Sequence, residues 1–251
     1  MRLFAGVAFI IALVALTELI CDARLISPAI LPPPHATWAA LVAGFAGGDL
    51  WAPLRATFLH MLVGWGCACV AGIALGAFVG MTAFGREYVA PSLQFLRPLP
   101  ASAIAPIGLL LIGRNDLMIV AVIVFGAIWP VLLASVHGFS SIEPRLEEVS
   151  RTLHLAPAQS FWAIAVPSAF PEIVAGARIS IAISLILAVV AEILASAGGL
   201  GDWLNLAERS YRAADLYAGV VLVCLLGVLT NYSLERFEGY VLRWKEPPAW
   251  R

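Results

Sequence analysis

Residues 58–85 read FLHMLVGWGCACVAGIALGAFVGMTAFG. The stretch holds no Asp, Glu, Lys or Arg, and it exceeds the ~20 apolar residues that carry a helix across a bilayer. Gly64, Ala68, Gly72, Gly76 and Gly80 recur every fourth residue. On a helix they form one stripe of small side chains, which in lipid lets two backbones approach closely. The segment therefore predicts a membrane-spanning helix packed tightly against a neighbour.

The rest of the chain has the same character. Of 251 residues, 61% are hydrophobic and 12% charged, about half the ~25% charge of a soluble domain. Fifteen basic residues stand against sixteen acidic ones, so no net field calls for nucleic acid. The composition gives an all-α integral membrane protein. Six spans are expected, at about 3–21, 58–83, 90–113, 117–138, 171–197 and 214–234, in one domain covering 1–251. Residues 1–20 are taken as a retained first span, because Glu18 interrupts the end and no convincing small-residue cleavage site follows.

Three connections stand out. Within 21–57, Pro34 can open a short helix through Phe45. Residues 139–170 form a long polar connection. Residues 198–213 begin with a flexible GGLG turn and continue as an interfacial amphipathic helix. With a cytoplasmic N-terminus, the inside receives Arg2, Arg86, Arg145, Arg151, Arg236, Arg243, Lys245 and Arg251. The outside receives Arg24, Arg55, Arg114, Arg209 and Arg212. This bias places both termini and the 139–170 connection in the cytoplasm.

Catalytic signatures are missing. The single lysine, Lys245, is followed by Glu246, so no phosphate-binding loop is present. There is no G-x-S-x-G elbow, H-E-x-x-H pair or C-x-x-C. Cys21, Cys67, Cys69 and Cys224 read as small apolar helix residues, and His35, His60, His137 and His154 lack metal-ligand spacing. The chain is expected to be no enzyme and to hold no cofactor or metal. A transporter of this kind needs energy from a partner ATPase or an ion gradient.

The connection contains EEVSRTLHLAPAQSFWAIAVP at 147–167. Ser141 can cap a helix with Pro144 in its first turn, running through Leu153. Ala156 precedes a proline and is pushed out of the helical region. Pro157 then opens a second short helix that Pro167 ends. Charges lie on the first arm, and Phe161 and Trp162 on the second. That shape fits a tip inserted into a groove on a partner, and equally an interfacial connector.

The stretch resembles the signature loop of ABC importer permeases, the EAA motif. Glu148 falls on the motif's Glu, Val149 and Ser150 on its alanines, His154 on its Gly and Pro167 on its Pro, with Ile164 and Val166 at its apolar positions. LPPPHATWAAL (31–41), GDLWAPLRATFLHMLVGWGCACVAGIALGAFVG (48–80), PSLQFLRPLPASAIAPIGLLLIG (91–113) and GARISIAISLILAVVAEILASAGGLGDWL (176–204) look like permeases for nitrate, aliphatic sulfonates and taurine. The likeness covers about residues 25–235.

This resemblance implies the six-helix type I importer permease (MetI-like) fold in the bacterial inner membrane. It implies a permease homodimer, cytosolic ABC ATPase subunits that hold ATP and Mg, and a periplasmic substrate-binding protein. The loop 143–167 would couple to the ATPase through Glu148, flanked by Glu147 and Arg151, with His154, Pro157 and Pro167 shaping it. The substrate would be an aliphatic sulfonate, taurine or nitrate. Relatives of similar appearance handle a thiamine-precursor pyrimidine or an aromatic acid. A stand-alone ion-coupled secondary transporter is the rival from another class, and a membrane scaffold a third.

Where the family has Gly, His154 either takes a left-handed turn or leaves the bend to Ala156. The departure predicts pairing with a dedicated ATPase. Arg178 and Glu192 lie within the fifth span, where charge is expensive and faces a cavity or a partner. Each is a candidate for the pathway or gate, or for a structural bond to another helix. Arg97 is expected to snorkel to the cytoplasmic interface.

Overall fold

The computed structural model describes residues 2–23 and 26–243. Among them all regular structure is helical. The order is α1 (Arg2–Asp22), α2 (Pro34–Ala46), α3 (Trp51–Met81), α4 (Ala90–Leu96), α5 (Ala101–Ile112) and α6 (Asp116–Ser140). Then come α7 (Pro144–Thr152), α8 (Pro157–Ser160), α9 (Val166–Ala195), α10 (Leu200–Arg209) and α11 (Ala213–Val241). Pro34 opens α2 as its missing N–H allows. Gly198 and Gly199, both at positive φ, turn the chain into α10.

The centre is a sandwich of α3, α6 and α9. Its buried core includes Met61, Ile119, Ile123, Ala127, Ile181 and Leu185. Lipid offers no hydrophobic drive between helices, so close packing must hold them, and the glycine stripe supplies it. A Cβ at Gly64 would stand 2.4 Å from Ile123 Cγ2, and at Gly76 2.3 Å from Ser135 Cβ. At Gly80 it would meet Phe139 Cβ at 2.9 Å. Gly64, Ala68, Gly72, Gly76 and Gly80 are all buried. On the other side of α6, a Cβ at Gly176 would lie 2.5 Å from Ala134 Cβ and 2.8 Å from the Pro130 carbonyl oxygen. Two polar bonds pin α9: Ser180 Oγ donates to the Ala127 carbonyl (2.6 Å), and Trp65 Nε1 to the Ala177 carbonyl (2.9 Å).

Among the described residues, four helices are long and apolar enough to cross a membrane: Trp51–Met81, Asp116–Ser140, Pro157–Ala195 and Ala213–Val241. The expected third span, 90–113, is not one helix. It is broken at Arg97–Pro100, and its two pieces, Gly85–Leu96 and Ala101–Ile112, meet at 88°. Pro98 and Pro100 bring no N–H to carry the ladder on; Arg97 is still helical (φ −56°, ψ −43°), and the chain has left the helix by Pro100, which is extended (φ −68°, ψ 120°) before α5 begins. Counting the bent pair as one span gives five. α1 occupies the expected first span, with Ala12–Cys21 as a short apolar helix.

The expected stop at Pro167 is also corrected. The second arm runs on from Pro157 through Ala195. A π-helical turn, Phe161–Ala165, passes the Val166 N–H to the Phe161 carbonyl. The ladder is thus already widened where Pro167 brings no donor, and Pro167 sits in the first turn of α9.

Candidate functional site

The two-armed loop is built from local rules. Glu143, not Ser141, is the residue before α7, and it carries no capping bond. Pro144, with φ preset for a first turn, fixes the start there. The Ser141 hydroxyl instead bonds back to the His137 carbonyl at 2.7 Å. At the other end, Leu155 N–H donates to the Ser150 carbonyl and His154 N–H to the Arg151 carbonyl, both at 3.1 Å. This pair of bonds is a Schellman motif, whose turning residue adopts the left-handed conformation. His154 does so, at φ 50°.

Ala156 is extended (φ −61°, ψ 150°) before Pro157 opens α8, and its N–H donates to Gln159 Oε1 at 3.0 Å. Ser150 Oγ donates to Ser160 Oγ at 2.9 Å and clasps the arms together. Phe161 stacks on Phe139 at 6.0 Å with planes 9° apart, seating the elbow against the end of α6.

The elbow presents an apolar face outward. Leu146, Val149 and Leu153 are 36%, 47% and 64% exposed, and their spacing puts them on one side of α7. Glu148 is exposed, and its carbonyl accepts from Thr152 Oγ1. The side chain of Glu147 lies outside the described residues.

A second polar group lies at the opposite end of the bundle. Glu192, fully buried, is met by three donors. Thr57 Oγ1 reaches Oε2 at 2.8 Å, the Gly201 N–H reaches Oε2 at 2.9 Å, and His60 Nδ1 stands 2.9 Å from Oε1. Thr57 Oγ1 also accepts the Leu200 N–H at 2.7 Å. His60 Nε2 lies 3.5 Å from Asp116 Oδ1 at the rim. A buried carboxylate is costly unless fully bonded, and here it is. The network ties α3, α9 and the start of α10 into one joint.

Comparison with known proteins decides the family. Residues 70–245 match the profile described as "Binding-protein-dependent transport system inner membrane component". The chain belongs to this family of ABC importer permeases. The permease is 26% identical to the putative aliphatic sulfonates transport permease protein SsuC of Bacillus subtilis, over 93% of this chain and 84% of that protein. It is 32% identical to the nitrate import permease protein NrtB of Synechocystis, over 74% of this chain and 68% of that one. Its fold is that of the inward-facing MetNI methionine ABC transporter. The TM-score is 0.66 at 20% identity, covering 75% of this chain and 94% of the other.

The permease is thus a non-catalytic, multi-pass inner-membrane subunit of a binding-protein-dependent system. The family binds no cofactor, and the ATPase is a separate chain. An ATPase and a binding protein are its partners.

The two buried-charge candidates part company. Arg178 bonds to α11: to Glu235 at 3.3 Å, Glu238 at 3.4 Å and Asn231 at 3.5 Å. Glu192 is the centre of the joint just described. Sequence reasoning found Glu192 but missed Thr57 and His60. A histidine within an apolar run was the available signal, since it needs a polar partner there. Arg97, expected at the cytoplasmic interface, lines a cavity together with Gly126, Trp129 and Leu133 from the middle of α6.

Proposed function

We propose that this permease forms the pathway for a small anion, an aliphatic sulfonate, taurine or nitrate. Two copies stand side by side, each with six spans in the single domain 1–251 and both termini in the cytoplasm. α7 and α8 seat in a groove of the ATPase, and closure of the ATPases on ATP moves the elbow and switches access across the membrane. The observation that carries this is the outward apolar stripe Leu146–Val149–Leu153 beside exposed Glu148. It is held at a fixed angle by the Schellman turn and the Ser150–Ser160 clasp. An exposed apolar stripe on a short polar helix marks a docking face. Relatives named for sulfonates and nitrate support the anion class. Arg178, Glu147, Arg151, Pro157 and Pro167 serve as supports of this machinery.

The test is co-purification of the permease with the ATPase, followed by binding-protein-stimulated ATP hydrolysis. Glu148→Lys and Leu153→Asp should each reduce capture of the ATPase and the stimulated rate at least tenfold. Wild-type behaviour of both variants would remove the coupling role.

A further inference from the structure

The last helix, α11, carries its charges on two separate sides. From Leu216 to Leu234 it holds no Asp, Glu, Lys or Arg, a run of ~28 Å that nearly matches the ~30 Å hydrocarbon core of a bilayer. Charge returns at Glu235. Glu235 and Glu238 turn toward α9, where both bind Arg178, at 3.3 and 3.4 Å. Because Arg178 stands near the start of α9, this end of α11 lies on the same membrane face as the two-armed loop. Tyr232, Arg236 and Tyr240 recur every fourth residue, with Arg243 three further on, so they share a different side of the helix. All four are exposed. Arg236 Nε donates to the Tyr232 hydroxyl at 2.9 Å, and its guanidinium lies 5.0 Å from the centre of that ring. The Arg243 guanidinium lies 4.4 Å from the centre of the Tyr240 ring. Neither arginine meets a carboxylate among the described residues.

Beside this edge runs a groove of about 370 Å³ between α3, α9 and α11. Its walls include Phe58, Leu62 and Trp65 of α3, Ile181 of α9, and Leu229 and Phe237 of α11. The polar side chains in the wall all donate elsewhere. Trp65 Nε1 bonds the Ala177 carbonyl, Thr230 Oγ1 the Leu226 carbonyl and Ser233 Oγ the Leu229 carbonyl. The groove therefore offers no donor to a polar solute and suits an alkyl chain. Phe58, Leu229 and Phe237 are 38%, 62% and 56% exposed, so it opens sideways into the membrane. Phe237 directly follows Arg236, so the groove ends beside the arginine edge.

We propose that this groove and edge together bind one anionic phospholipid. An acyl chain lies in the groove, and the phosphate sits at Arg236, where the uncharged run ends. The planar guanidinium suits phosphate oxygens, and stacking on tyrosine fixes its direction. Tyr232 and Tyr240 lie at headgroup depth, where tyrosine is favoured. Arg243, two turns further out, or ~10 Å along the axis, selects the headgroup. A zwitterionic lipid carries its ammonium beyond the phosphate, facing that guanidinium. A glycerol headgroup brings no such charge. The end of α11 is then held from both sides, by Arg178 and by lipid.

The permease in complex with its ATPase is purified in detergent and mixed with equal amounts of phosphatidylglycerol and phosphatidylcholine. Native mass spectrometry then counts the lipid retained. Wild type should retain phosphatidylglycerol at least fivefold over phosphatidylcholine, and phosphatidylglycerol should raise its thermal midpoint. Arg236→Gln combined with Arg243→Gln should abolish both the preference and the rise, with the lipid-free midpoint unchanged. Arg243→Gln alone should weaken the preference by admitting phosphatidylcholine. Leu229→Trp, which fills the groove, should lower retention of both lipids at least fivefold. Arg209→Gln, on α10 at the opposite membrane face, should alter none of this. Equal retention of the two lipids by wild type overturns the site, as does an undiminished preference in the double variant. If the double variant fails to assemble with the ATPase, Leu229→Trp decides: lowered retention upholds the site and unchanged retention overturns it. A Leu229→Cys variant that forms a disulfide from chain to chain would give this face to a second copy of the permease, and also overturns it.

Discussion

His60 Nδ1 and Glu192 Oε1 stand 2.9 Å apart although 132 residues separate them along the chain. Together with Thr57 and the Gly201 N–H, this pair joins the start of α3, the end of α9 and α10. Breaking a buried pair by removing one partner costs ~3–5 kcal/mol, because the other polar groups are left buried and unbonded. Glu192→Ala should therefore lower the thermal midpoint of the purified permease more than any single aliphatic truncation on the bundle surface. Glu192→Gln keeps an oxygen that can accept from Thr57 and Gly201, so it should cost less than half as much. Equal losses for Gln and Ala would show that acceptor geometry is not what holds the joint.

His154 turns the elbow at φ 50°. A left-handed residue with a Cβ costs ~1–2 kcal/mol, and histidine is among the residues that bear it more readily. His154→Gly should remove about 1 kcal/mol of local strain. Amide exchange at Leu155, whose N–H closes the turn on Ser150, should slow about fivefold. His154→Val should speed it, because a β-branched side chain tolerates this region poorly. The dedicated-ATPase expectation has its own readout. An unrelated family ATPase should capture the His154→Gly variant better than wild type, and equal capture would count against the idea.

Much of this architecture was legible in the sequence. The Gly64–Gly80 stripe announced the close approach of α3 to a neighbour, because a four-residue repeat of small side chains has one use in lipid. Pro34, Pro144 and Pro157 marked helix starts, since each fixes φ locally. Pro98, Pro100 and Pro167 were harder. The same residue breaks one segment by 88° and is absorbed by a π turn in another. Which outcome occurs depends on neighbours that pack from elsewhere in the chain. The Glu192 joint was half-visible for a related reason. A buried carboxylate declares that it has partners, but Thr57 and the Leu200–Gly201 turn reach it only through the packing of α3 on α9.

Arg178 binds two carboxylates of α11, yet its side chain is about a third exposed. Exposed pairs contribute ~0–1 kcal/mol, so these contacts steady the last helix rather than determine the fold. Arg178→Ala should shift the thermal midpoint slightly and leave the ranking of transported anions unchanged. A reversed preference among butanesulfonate, taurine and nitrate would place Arg178 in the pathway instead.

Gly198 and Gly199 provide a paired test of the joint. Both have positive φ, at 90° and 95°, so any side chain at either is strained. Their surroundings differ. A Cβ at Gly198 meets nothing within 4 Å, whereas at Gly199 it would lie 2.2 Å from Glu192 Cδ and 2.4 Å from Oε2. Gly199 also has ψ 173°, a region open essentially to glycine alone. Gly198→Ala should thus cost ~1–2 kcal/mol from backbone strain. Gly199→Ala should cost more, because the carboxylate must move and abandon Thr57, His60 and the Gly201 N–H. The clash is a contact between two residues, so it should appear as coupling in a double-mutant cycle. Gly199→Ala should lower the thermal midpoint much less when Glu192 is already alanine, while Gly198→Ala should cost the same in either background. Additivity at Gly199 would mean that the turn yields without disturbing Glu192, and that the glycine serves the backbone alone.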